Sequence, residues 1–172
     1  MSIIVKEINF AIRFSREFGK PLYRFYSHDT WGSDNDPADP AENTGMRRAK
    51  TSQKQAITPD MQELLWSLTP KYTDNVPSVL DLCIGMPVMI KFNEATELCV
   101  TNGQNGNVVG WTFLEQDSRK YLQTLFVLLH KPSKPVKTDG LPVNVVPMTR
   151  TTTSIAVTFP DGSILEHKFK SC

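Results

Sequence analysis

The apolar positions of this chain change their period along its length. Ile4, Ile8, Ala11, Ser15 and Phe18 fall at helical spacing, with Val5 and Ile12 beside them, and Gly19 stands where a helix C-cap belongs. That spacing predicts an amphipathic helix over residues 3–18, which Pro21 prevents from continuing. Leu22-Tyr23-Arg24-Phe25-Tyr26 then reads as a short strand of strong β formers. A second helix is predicted over 59–67. Thr58 can cap it, Pro59 suits its first position, and Met61, Leu64, Leu65 and Leu68 give one apolar stripe. From Leu80 onward the apolar residues come in short runs, and strands are predicted at 87–92, 108–113, 122–129, 154–159 and 164–168. Asn102-Gly103 and Gly106 punctuate the turn between the first two, and Pro160-Asp161-Gly162 the turn between the last two. Helices followed by five short strands predict an α+β chain whose β part is a small barrel or sandwich.

Between the two helical patterns the character is different. Asp34, Asp36, Asp39 and Glu42 precede Arg47, Arg48, Lys50 and Lys54, with almost nothing apolar among them. Such a segment cannot offset its ordering entropy by burial, so residues 33–57 are expected to be a disordered, acidic-then-basic linker. The basic half could alternatively contact phosphates or serve nuclear import. The expected organisation is therefore 1–32 as a helix–strand segment, 33–57 as a charged loop, 58–80 as a short helix and connector, and 81–172 as the β domain.

Composition narrows the function classes. The 172 residues are 40% hydrophobic and 22% charged, which suits a soluble chain of one ordinary domain, or a small domain with appendages. A net charge of +1 gives no global basic footprint, so nucleic-acid contact would need a local patch. Cys83, Cys99 and Cys172 are irregularly spaced and far in sequence from His28, His130 and His167, which argues against a zinc site. Reduced thiols point to the nucleus or cytoplasm. No signal peptide is visible and no apolar run is long enough to span a bilayer, so no membrane association is expected.

Motifs for phosphoryl transfer and hydrolysis are missing. The chain has no Gly-x-x-x-x-Gly-Lys-Ser/Thr loop, no Gly-x-Ser-x-Gly and no His-Glu-x-x-His. Gly103, Gly106 and Gly110 have no helix after them, so they read as turn and close-approach glycines rather than a phosphate cradle. Glu94 with Glu97, and Asp34 with Asp36, read as solvated charges. No catalytic residue, metal or cofactor is expected in this chain. Lys131, Lys134 and Lys137, interleaved with Pro132 and Pro135, could follow a phosphate backbone as a stiff, extended basic loop. Phe92, Trp111 and Phe113 could stack on bases, although core packing is the commoner role of such residues. Asn93 and Asn102 could hydrogen-bond phosphate or base, or serve as turn residues.

One segment carries a resemblance. Ile84-Gly85-Met86-Pro87-Val88-Met89-Ile90, then Asn93, then Asn102-Gly103 with Gly106 and Val108-Val109, resembles the Gly-x-x-Val-Met strand and Asn-Gly turn of Pif-family DNA helicases, including Helitron-type and fungal relatives. Ile8-Asn9, followed by an aromatic-rich strand and Asp29, looks like the family's Asn-bearing helix, strand and Asp segment, and the stretches from Tyr26 to Pro37 and Leu141-Pro142-Val143-Asn144-Val145-Val146-Pro147 look like its fungal members. The resemblance implies that 1–32 is an edge of the second RecA-like motor domain and that 81–172 is an inserted, five-stranded SH3-like barrel. It further implies that this barrel contacts single-stranded DNA, with Asn93, Asn102, Gly103, Trp111, Lys131, Lys134 and Lys137 as candidate contacts. The full enzymes use ATP and Mg²⁺ and serve genome maintenance, including DNA repair and recombination, or transposition.

The chain departs from that pattern. The phosphate-binding loop, the Mg²⁺-holding acidic motif and the family's later Gln- and Arg-bearing motifs do not occur, and Asn105 stands where the family often has Arg. Phosphoryl transfer needs a nucleotide cradle, a metal and a water-positioning group together. The expectation is thus a truncated helicase fragment, with residual single-stranded DNA binding and no ATPase of its own, whose partner is the missing motor portion or another protein. The alternatives are a stand-alone barrel that binds other proteins, and a non-functional remnant of a mobile element.

Overall fold

The computed structural model describes residues 3–4, 10–31, 57–72, 76–90, 103–150, 153–158 and 164–171. Their elements, in chain order, are β1 (Ile3–Ile4), α1 (Phe10–Phe18), β2 (Tyr23–Tyr26), β3 (Thr30–Trp31), α2 (Pro59–Ser67), a 3₁₀ turn (Pro70–Tyr72), β4 (Val79–Leu82), β5 (Pro87–Ile90), β6 (Asn105–Gln116), β7 (Arg119–Leu129), β8 (Val145–Thr149), β9 (Thr153–Thr158) and β10 (Ile164–Ser171). The class is α+β, with two helices and antiparallel sheets. The chain divides into two compact units, residues 1–27 with 79–151, and residues 28–78 with 152–172.

In the first unit β1, β5, β6, β7 and β8 form a five-stranded sheet in that order, and β2 pairs with β4. The helix expected from residue 3 begins at Phe10, because Ile3 and Ile4 are a strand paired with Ile90 and Met89. Two β-branched residues at a sheet edge gain ladder hydrogen bonds that a frayed helical first turn would leave unmade. The expected C-cap is present. Gly19 has φ +59°, and the Lys20 N–H reaches back to the Ser15 carbonyl at 3.0 Å in a Schellman closure.

The long β6–β7 hairpin is the spine of this unit. Its register runs from Gly106 opposite Leu129 to Gln116 opposite Arg119, with irregularities at Val108/Gly110 and Thr112/Phe113 that bend the ribbon. Gly106 is fixed by space. A Cβ there would sit 2.5 Å from Val127 Cγ1 and 2.6 Å from the Leu128 carbonyl oxygen. The core beneath is built from Ala11, Phe25, Leu82, Met86, Ile90, Val108, Leu125, Val127, Val146 and Met148, each almost fully buried. Each of the Val, Leu, Ile, Phe and Met side chains among them contributes about 1.5–3 kcal/mol by leaving water.

The five strands expected from the sequence divide between two sheets. Those near 87–92, 108–113 and 122–129 are β5, β6 and β7, whereas those near 154–159 and 164–168 are β9 and β10, which join β3 in a three-stranded sheet of the second unit. In the five-stranded sheet β1 and β8 each have one neighbour, so the described pairings leave it open.

The second unit also holds α2. Thr58 caps it, its Oγ1 accepting from the Met61 N–H at 3.4 Å, and Pro59 occupies the first position. Of the expected stripe only Leu65 is fully buried, while Leu64 is 41% exposed. Buried Asp29 is bracketed by Gln62, whose Nε2 donates to Oδ2 at 2.6 Å while its Oε1 accepts from the Asp29 N–H at 3.3 Å. The charged loop expected at 33–57 lies, apart from Ile57, outside the described residues.

Candidate nucleic-acid interface

The lysine-bearing loop leaves β7 at Leu129 and re-enters the sheet at Val145, the start of β8. Its foot is tied to the start of β6. The His130 N–H donates to the Asn105 carbonyl at 2.9 Å, and Gln104 Nε2 donates to the His130 carbonyl at 2.7 Å and to the Asn105 carbonyl at 2.9 Å. Gly103 closes the same corner with φ +86°, its N–H bonded to the Ile90 carbonyl at 2.8 Å. Two parts of the expected contact set, Gly103 and Lys131, are therefore brought to one end of the sheet through Gln104 and His130.

Lys131 itself adopts φ +45°, a left-handed conformation that costs a residue with a Cβ roughly 1–2 kcal/mol. The chain bends at Lys131, Ser133 and Lys134, so the loop is compact where a stiff extended segment was expected. Lys131, Lys134 and Lys137 are exposed, while Val136 between the last two is 4% exposed and plugs into the core. Asp139 is the one acidic residue of the stretch from His130 to Asn144, so its formal charge is 3 − 1 = +2 with histidine neutral.

Trp111 lies elsewhere. It is six residues beyond Asn105 on β6, roughly 20 Å along an extended strand. Its ring packs 4.9 Å from Tyr23 and 5.5 Å from Phe25, and it belongs to the flank of the core. Phe113 extends the cluster, 6.1 Å from Phe25, and is 39% exposed. The Lys120 ammonium sits over both Tyr23 and Phe113, at 5.4 and 5.3 Å from their centroids, and Arg119 lies 5.8 Å over Tyr26. This aromatic–cationic cluster was not legible as a unit, because β2 and the β6–β7 tip are about 90 residues apart in sequence and only the packing of the β2–β4 pair against the long hairpin brings them together. Its cations are balanced nearby by Glu115, opposite Lys120, and by Asp117 in the turn.

Asn93 and Asn102 lie outside the described residues. Among the described residues no group of three or more His, Cys, Asp or Glu is arranged to hold a metal, and no helix is long and apolar enough to cross a membrane. An open depression of about 720 Å³ beside α1 is lined, among the described residues, by Ile12, Arg13, Arg16 and Glu17. Two residues of the lysine corner went unnoticed in the sequence, Gln104 and Asn144. The signal for Asn144 was its place two residues after Pro142, where asparagine suits the left-handed third position of a turn that the Val145 N–H closes on the Pro142 carbonyl at 3.1 Å. No protein-family model, curated protein or solved structure matches the chain.

Proposed function

We propose that this chain is a DNA-guiding fragment of a Pif/Helitron-like helicase, binding single-stranded DNA weakly and without sequence preference, with no ATPase of its own. The observation that carries the reading is the lysine corner. Three exposed lysines project from a loop tied at its foot and plugged at its middle, and one of them, Lys131, is held in a strained backbone. Strain of this kind persists where the surroundings over-determine it, and it recurs at ligand sites. An ordered cationic loop neutralises phosphates with less ordering entropy than a free tail. The five-stranded SH3-like barrel that the resemblance implies for 81–172 belongs to the same proposal.

The test is a fluorescence anisotropy titration with labelled oligo-dT across a salt series. Micromolar binding at low salt is expected, with log K falling linearly against log salt. Replacing Lys131, Lys134 and Lys137 by alanine should lower that slope by about 2, at roughly 0.7 per single-strand phosphate contact. Absence of binding at tens of micromolar protein overturns the proposal.

A second reading, in which the unit binds another protein, is favoured by a different observation. Val109, Leu128 and Val143 are exposed at 41%, 37% and 51% on the same unit. Recovery of a protein partner after nuclease treatment, by a chain with no oligonucleotide affinity, would decide for it.

A further inference from the structure

Asn144 is one residue with three bonds into the lysine loop. Its carbonyl accepts from the Leu129 N–H at 2.8 Å, its own N–H donates to the Val136 carbonyl at 2.8 Å, and its Oδ1 accepts from the Val136 N–H at 2.9 Å. Lys131 and Lys134 lie between those two anchor points and Lys137 lies next to the second. Asn144 can offer backbone and side chain to the same neighbour because it sits at φ +67°, a region asparagine enters more readily than other residues with a Cβ. The Val136 side chain is buried and both its backbone groups are taken up by Asn144, so the middle of the loop is fixed in position and orientation.

We infer that Asn144 is a positioning residue for anion binding, holding the three lysines in one arrangement so that a phosphate chain meets them together; the inference rests on the DNA reading above. Asn144 carries no charge and makes no contact with phosphate itself. Its effect is to remove, before binding, loop entropy that would otherwise be lost on binding.

The side-chain part of this role is separable from the fold. Asn144→Gly is compatible with the left-handed backbone and with both backbone bonds, while it removes the acceptor for the Val136 N–H and loosens the backbone at 144. The expected result is an about five- to tenfold loss of oligo-dT affinity at low salt. In hydrogen exchange, protection should fall at Val136 while the amides of Leu125 and Val127 stay protected.

The deciding readout is a double-mutant cycle with Lys137→Ala. In the wild-type background Lys137→Ala weakens binding, and in Asn144→Gly the same change should cost much less, because the lysines no longer act as a set. A residue that merely supports the fold would leave the two effects additive. Additive effects, or wild-type affinity in folded Asn144→Gly, overturn the inference while leaving the DNA reading in place. A wild-type chain that binds no oligonucleotide overturns both. Should Asn144→Gly fail to fold, Asn144→Ser, which retains a shorter acceptor, carries the same cycle.

Discussion

Arg24 and Asp81 stand directly opposite each other in the β2–β4 ladder and are joined by a two-pronged ion pair, Nε to Oδ1 at 2.8 Å and Nη2 to Oδ2 at 2.9 Å. Those hydrogen bonds first, and then the carboxylate charge, raise the guanidinium pKa above its ordinary value. The two partners are unequally placed, with 52% of the arginine side chain exposed against 11% of the aspartate. Losing the arginine leaves a mostly buried carboxylate unpaired, whereas losing the aspartate leaves a cation that water can solvate. Arg24→Met is therefore expected to destabilise by about 2 kcal/mol and Asp81→Asn by about 1 kcal/mol or less. Urea denaturation of the two variants measures the difference, and equal losses would contradict the asymmetry.

Gly106 makes a sharper test of the hairpin. The space a methyl group would need is occupied by the Val127 side chain and by the Leu128 backbone, and backbone cannot swing aside. Gly106→Ala should destabilise by about 1–3 kcal/mol through overpacking. Gly110→Ala, whose new Cβ would meet Phe126 at an ordinary 3.7 Å, should cost less. Thermal melts of both proteins separate the two cases. A Gly106→Ala protein as stable as wild type would mean that β6 and β7 can part without loss.

Much of this architecture was readable in advance where local chemistry decided it. Thr58-Pro59 placed the start of α2, Gly19 placed the end of α1, and the apolar runs placed β5, β6 and β7. The misses share one cause. Ile3-Ile4, Val79–Leu82 and Val145–Thr149 are strands because a partner strand is present, and no local pattern distinguished them from helix or connector. The same cause scattered the contact set. Lys131 and Gly103 share a corner because Gln104 and His130 bond there, while Trp111 meets Tyr23 and Phe25 where the β2–β4 pair packs on the five-stranded sheet.

Cys83 gives the first unit a pH dependence whose sign follows from its surroundings. The residue is inaccessible to solvent, and its thiol lies 3.5 Å from the Ala11 carbonyl. Burial raises its pKa, a hydrogen bond with Ser15 works the other way, and the Asp81 charge adds a smaller upward push. The folded state thus favours the neutral thiol. Its contribution to stability is complete below the unfolded thiol pKa of about 8.5 and is lost as pH rises from there through the folded value. The urea midpoint of the wild type should fall more steeply between roughly pH 8 and 10 than that of Cys83→Ala, which has no thiol to ionise at this position. Parallel pH profiles would show that the thiol does not couple to folding. Cys83→Ala should itself be less stable at neutral pH, by about 1 kcal/mol, because it removes a buried side-chain atom.

The tip of the β6–β7 hairpin is built against local preference. Asp117 and Ser118 form its two-residue connection with φ +51° and +61°, the left-handed pair that a twisted hairpin requires. Asn-Gly is the usual solution, because asparagine tolerates a left-handed backbone and glycine adopts it without a Cβ penalty. The absence of that dipeptide is why no turn signal stands between the second and third expected strands. Replacing Asp117 and Ser118 together by Asn and Gly should stabilise the unit by about 1 kcal/mol by relieving both positions. The gain should appear as a higher Tm and as slower hydrogen exchange of the amides nearest the turn, Gln116 and Arg119, which face each other as the closing pair of the ladder. The exchange of Val108 and Val127, deep in the core, should change only as far as global stability changes. A double variant no more stable than the wild type would mean that the strand pairing imposes the turn so firmly that its own residues carry none of the strain.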